Sequence, residues 1–224
     1  MTFAIISFGV ALLFLGVFLV FSLVSYFDQN KKKYDFRNCF PYEINNYTTT
    51  RDNVFGRIAL IVSAIAIIFF YVTYPMELKG YHLGLAVFVA VLGVVGAVAM
   101  LLIIFVPFLN LKLHLATDVV LFASTFMLNI GIAFLALWEL RDNTVTAVNI
   151  LKTIAGVIAL ILSIFLIILV MNSKMKDWTK LEEHASEDGT VTYDRPRWFV
   201  LAYTEWIYIL ALFMDLLLLI LIKN

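Results

Sequence analysis

The chain of 224 residues contains one cysteine, three histidines, four prolines and little charge of either sign. A single Cys39 excludes an intrachain disulfide, a CxxC redox pair and an iron–sulfur cluster held by thiolates. Sixteen basic residues balance sixteen acidic ones, so no excess of positive charge points to nucleic acid as a partner. Charged residues make up 14% of the chain and hydrophobic ones 63%, against about 25% and about 45–50% in an ordinary soluble domain. One soluble core of this size cannot hide that much apolar surface. The composition excludes a soluble domain and predicts an integral membrane protein.

Other absences narrow the chemistry. No GxxxxGK[ST], GxGxxG, GxSxG or HExxH occurs, which removes nucleotide cradles, serine-hydrolase elbows and zincin helices. The histidines are His82, His114 and His184. His82 and His114 fall at opposite ends of the membrane, so a three-histidine metal centre cannot be assembled. There is no internal repeat, and Pro75 and Pro107 fall at span ends, unlike the repeated, broken helices of a self-sufficient carrier.

A helix needs about 20 mostly apolar residues to cross a bilayer. Six stretches qualify: Thr2–Phe27, Phe55–Tyr74, His82–Leu109, Leu113–Leu140, Ala147–Met171 and Trp198–Ile222. The prediction is an all-α, six-transmembrane-helix bundle forming a single domain over residues 1–224. Two loops are long, Asp28–Val54 and Asn172–Arg197, and an even number of spans puts both on one face, where they are expected to fold together as a cap. Within the second, Glu187-Asp188-Gly189 ahead of Val191-Thr192-Tyr193 reads as a short hairpin.

Of the sixteen Lys+Arg, twelve fall on the long-loop face and four on the face of the termini. Positive charge prefers the cytoplasm, which places the long loops inside and the termini outside. Asn46-Tyr47-Thr48 is a glycosylation sequon that argues for the opposite orientation.

Helices meet in membranes through small residues and polar contacts. Ala86, Ala90, Gly93 and Ala97 fall within about 60° of arc on the third span, a stripe for close packing. On the fourth, His114, Asp118, Thr125, Asn129 and Glu139 share roughly 80° of arc and must face the interior, since lipid cannot satisfy them. The fifth span repeats this with Asn149, Lys152, Gly156 and Ser163, and the sixth carries Glu205 and Asp215. Ionisable groups at membrane depth are rare, and functional or paired. Depth along each helix predicts two interior clusters: Glu205 with His114 near Asp118, and an ion pair of Lys152 with Asp215. His114-x-x-x-Asp118 has metal-ligand spacing, with Glu205 as third donor, but the sequence by itself assigns neither metal nor cofactor. It assigns no catalytic residue either.

Phe40-Pro41-Tyr42 in the first long loop, His114 opening the fourth span and Glu205-Trp206 early in the last together resemble the DRAM/FRAG/SFK-type family of six-span membrane proteins. Glu43-Ile44-Asn45 departs from that family's usual continuation after Tyr42. The resemblance implies a non-catalytic or indirectly catalytic role in lipid homeostasis. It also implies that Pro41, Tyr42, His114, Glu205 and Trp206 gather at the loop end, with Trp206 and Tyr208 at headgroup level. The function expected is a lipid-interacting scaffold or modulator, with membrane lipids as partners. Two alternatives stay open: an accessory subunit of a larger membrane complex, and a lipid acyltransfer enzyme with His114 as base and Glu205 as orienter.

Overall fold

A computed structural model describes residues 3–45, 54–78, 83–106, 110–139, 147–177, 182–185 and 191–223. Six helices are long and apolar enough to cross a membrane: α1 (Phe3–Asn30), α2 (Val54–Glu77), α3 (Leu83–Phe105), α4 (Leu111–Glu139), α5 (Ala147–Val170) and α6 (Val200–Lys223). The six-helix bundle read from the sequence is the fold. The sequon at Asn46 and the 186–190 turn lie outside the described residues.

Helix ends differ from the apolar runs where local chemistry takes over. α1 continues past Phe27 because Gln29 donates to Ser25 and Asn30 to the Tyr26 carbonyl. It stops where Lys31 adopts φ 54° and returns its N–H to the Phe27 carbonyl, a left-handed helix cap. α2 runs through Pro75 to Glu77, so this proline lies inside the helix and not in the following turn. In a last turn the missing N–H forfeits one bond near an end that already lacks several.

Small residues set how closely the helices approach. The α3 stripe is buried as expected, and at Gly93 an added Cβ would stand 2.2 Å from the Tyr71 ring of α2. Glycine is needed there because the ring occupies the space a side chain would take. α1 meets α2 through Ala4, Ser7 and Ala11, and Ser63 donates to the Ala11 carbonyl at 2.8 Å. α6 is the most enclosed helix, touching α1, α3, α4 and α5. Tyr74 and Tyr208 lock it in place, Tyr74 donating to the Leu219 carbonyl and Tyr208 to that of Leu166, each at 3.0 Å. At the terminal face Lys223 pairs with Glu77.

Among the described residues, the second long loop carries the expected strand pair and the two long loops meet. Strands β1 (Glu182–Ala185) and β2 (Val191–Asp194) pair antiparallel, Glu183 opposite Tyr193. The second loop is tied to the first where the Phe199 N–H donates to the Arg37 carbonyl, and Arg195 donates to Glu43 at 2.7 Å. Phe40, Phe199, Leu201 and Ala202 form a small apolar core separate from that of the bundle.

Candidate functional site

α4 and α6 both start at the long-loop face, and their first turns bring three sequence-predicted residues together. His114 and Glu205 are fully buried and Asp118 is 2% exposed. His114 Nε2 lies 3.2 Å from Glu205 Oε1, and Nδ1 lies 3.0 Å from the Val106 carbonyl at the end of α3. Asp118 follows one turn below, so that one donor atom from each residue lies within 4.8 Å of the others. Among the described residues, both Asp118 oxygens and Glu205 Oε2 have no hydrogen-bond partner. Buried carboxylates are normally satisfied, because water is no longer present to do it.

Aromatic rings close the site on the loop side. Pro41 is buried and opens a 3-10 turn, Pro41–Asn45. The flanking Phe40 and Tyr42 rings stand edge-on to the His114 ring, with centroids 5.8 and 5.6 Å away. Burial pushes the Tyr42 phenol up to about 12. Arg195 lies over the outer side of Phe40, 5.7 Å from the ring centre. The Glu43 carboxylate accepts from both Arg195 and the Phe40 N–H, which holds the turn down.

Trp206 belongs to the same assembly, as a tether. Its indole N–H donates to Tyr34 Oη at 3.0 Å and to the Cys39 carbonyl at 3.1 Å. Tyr34 in turn donates to the Phe40 carbonyl at 2.7 Å, and burial drives its phenol well above the ordinary range. Trp206 is 5% exposed and Tyr208 1% exposed, which corrects their expected placement at headgroup level. The ring-bearing face of α6 turns inward, while Leu210, Met214 and Leu217 form its exposed side. Burial also raises the Cys39 thiol, which disfavours a reactive thiolate.

The second cluster is corrected in its partner. Asp215 is fully buried and accepts from Asn129 Nδ2 at 3.2 Å, where an ion pair with Lys152 was expected. Lys152 is buried on α5, five residues from its start, whereas Asp215 lies eight residues from the end of α6. At 1.5 Å per residue that leaves them about one turn out of level. Asn129, on the same α4 stripe as Asp118, is level with Asp215 and faces it. Thr125 on that stripe is also buried; the side chain of Glu139 lies outside the described residues.

Sequence reasoning missed the Val106 carbonyl, the Tyr34 relay and the clasp of Arg195 on Glu43. The first two are invisible in a motif search, one being backbone and the other a loop phenol. No family model, curated protein or solved structure matches the chain.

Proposed function

We propose that this protein is a non-catalytic, lipid-interacting membrane protein, a scaffold or modulator of lipid homeostasis. The observation that carries the reading is an apolar groove of about 360 Å³ along the seam of α3 and α4, lined by Val95, Val98, Leu102, Leu113, Ala116 and Val120 among others. Its volume falls within the roughly 300–1,000 Å³ of small-molecule sites. In helices long enough to span a bilayer, an apolar groove open at the side suits an acyl chain. Lys112 is exposed beside Leu113, at the loop-face end of the groove, and supplies the charge a lipid phosphate requires. A second apolar groove of about 470 Å³, between α2 and α3, offers room for another chain. The likeness of the Phe40-Pro41-Tyr42, His114 and Glu205-Trp206 motifs to DRAM/FRAG/SFK-type proteins supports the same class of role. The twelve basic residues of the long-loop face support a cytoplasmic cap.

A catalytic role is disfavoured by the geometry of His114. Both ring nitrogens are engaged, one by Val106 and one by Glu205. A general base needs one of them turned to its substrate.

Native mass spectrometry of the protein purified in mild detergent tests the lipid reading. The wild type is expected to retain phospholipid at close to one per chain. Ala116→Phe, which fills the groove from its exposed side, is expected to lower that occupancy several-fold. A wild type without bound lipid, or an Ala116→Phe protein that keeps it fully, overturns the reading. A stoichiometric protein in place of lipid would favour an accessory subunit.

A further inference from the structure

The polar residues beneath the cap are short of positive charge. Two carboxylates lie buried within one helical turn of each other's level, and among the described residues the His114 imidazole is the one side chain paired with them. Three of their four oxygens are unpartnered: both of Asp118 and Oε2 of Glu205. Burying two acidic groups side by side without donors is heavily penalised, unless a cation or a shared proton sits between them.

The third member is set up to share that cation. The Val106 carbonyl accepts from His114 Nδ1 at 3.0 Å, which keeps the proton on that nitrogen and turns the Nε2 lone pair toward the carboxylates. Metal-binding histidines are held in this way, through their other nitrogen. His114 Nε2 and Glu205 Oε1 are 3.2 Å apart. Ligands about 2.1 Å from a tetrahedral zinc ion stand roughly 3.4 Å from each other, so this edge is already in place. Asp118 lies within 4.8 Å, and a side-chain rotation of up to about 1.4 Å closes the rest.

We propose that His114, Asp118 and Glu205 bind one divalent transition-metal ion, zinc by the character of the donors. Magnesium and calcium take six or more oxygens, which two carboxylates supply poorly, whereas one imidazole and two carboxylates suit zinc. The charges close: two carboxylates and a neutral imidazole balance one divalent ion. The ion takes the place of the proton between Nε2 and Oε1 and cross-links α4 to α6 where Phe40 and Tyr42 cover it. Its occupancy holds the cap end of the bundle together. The sequence shows the same three residues at metal-ligand spacing, a signal too weak by itself to assign a metal. The proposed site is independent of the lipid groove, which shares none of the three ligands.

The full chain, purified in detergent, stripped with a chelator and reloaded with zinc chloride, is assayed by elemental mass spectrometry after desalting. About one zinc per chain is expected in the wild type, and at least a tenfold loss of affinity in Asp118→Asn and in Glu205→Gln. Asp215→Asn, at the other polar contact, should keep its zinc. A wild type holding under a tenth of an equivalent overturns the proposal, and so do Asp118→Asn and Glu205→Gln proteins that bind like the wild type. Should those variants fail to fold, zinc-edge X-ray absorption on the wild type decides. One nitrogen and at least two oxygens at zinc–ligand distances support the site; a sulfur ligand or several imidazoles refute it.

Discussion

The seam between α4 and α6 holds two polar contacts built from similar residues and finished differently. At the cap end, an imidazole and two carboxylates converge with three oxygens unpartnered, and a loop is clamped above them. Deeper along the seam, Asp215 accepts one hydrogen bond from Asn129, and among the described residues its other oxygen and the Asn129 amide oxygen have no partner. One carboxyl facing one amide is what helix register requires. Three donors oriented on one point, with a backbone carbonyl fixing the imidazole, exceed it. The two contacts therefore divide the seam into a binding end and a packing end.

Removing one group from each end should break this symmetry most strongly. His114→Ala leaves the buried Glu205 carboxyl without its imidazole partner and is expected to cost about 3–5 kcal/mol, the range for removing one partner of a buried ionisable pair. Asp215→Asn keeps an amide-compatible contact and should stay within about 1 kcal/mol of the wild type. Unfolding in detergent, followed by circular dichroism, measures both; equal losses would erase the distinction.

A smaller effect is expected from Trp206→Phe, which keeps an aromatic ring but removes the N–H that tethers Tyr34 and Cys39. Losing that donor should cost about 1 kcal/mol. The readout is faster hydrogen exchange at residues 34–40, with no change around Asn129. Faster exchange at both ends would mean that the cap and the deep seam are one unit.

The smallest effect concerns pH at the cap alone. Burial favours the neutral Tyr42 phenol and raises it from 10.0 to about 12. Its contribution is complete below pH 10 and is lost as the pH rises toward 12, since only the unfolded chain ionises readily in between. Absorbance at phenolate wavelengths, taken as the difference between wild type and Tyr42→Phe, should show the missing tyrosine titrating near 12. Titration near 10 would mean an open cap.

The fold was legible because membrane helices announce themselves by length, and the buried stripe on α4 because lipid cannot satisfy polar groups. The pairing of Glu205 with His114 followed from depth alone. The same arithmetic could have found Asn129. Eleven residues separate Asp118 from Asn129, and ten separate Glu205 from Asp215. On parallel helices the two intervals stay level, so one contact implies the other. Charge complementarity drew attention to Lys152 instead, although α5 runs the opposite way and puts it nearer the terminal face. What stayed illegible was how loop and bundle meet, because the Val106 carbonyl and the Tyr34 phenol carry no sequence signal of their role.

The division of the seam is tested most directly by the thermal midpoint of three proteins, wild type, Asp118→Asn and Asp215→Asn, with and without zinc after chelator treatment. Zinc should raise the midpoint of the wild type and of Asp215→Asn by similar amounts, several degrees at saturating metal, and leave Asp118→Asn where it was. No shift in the wild type, or an equal shift in Asp118→Asn, would contradict the account.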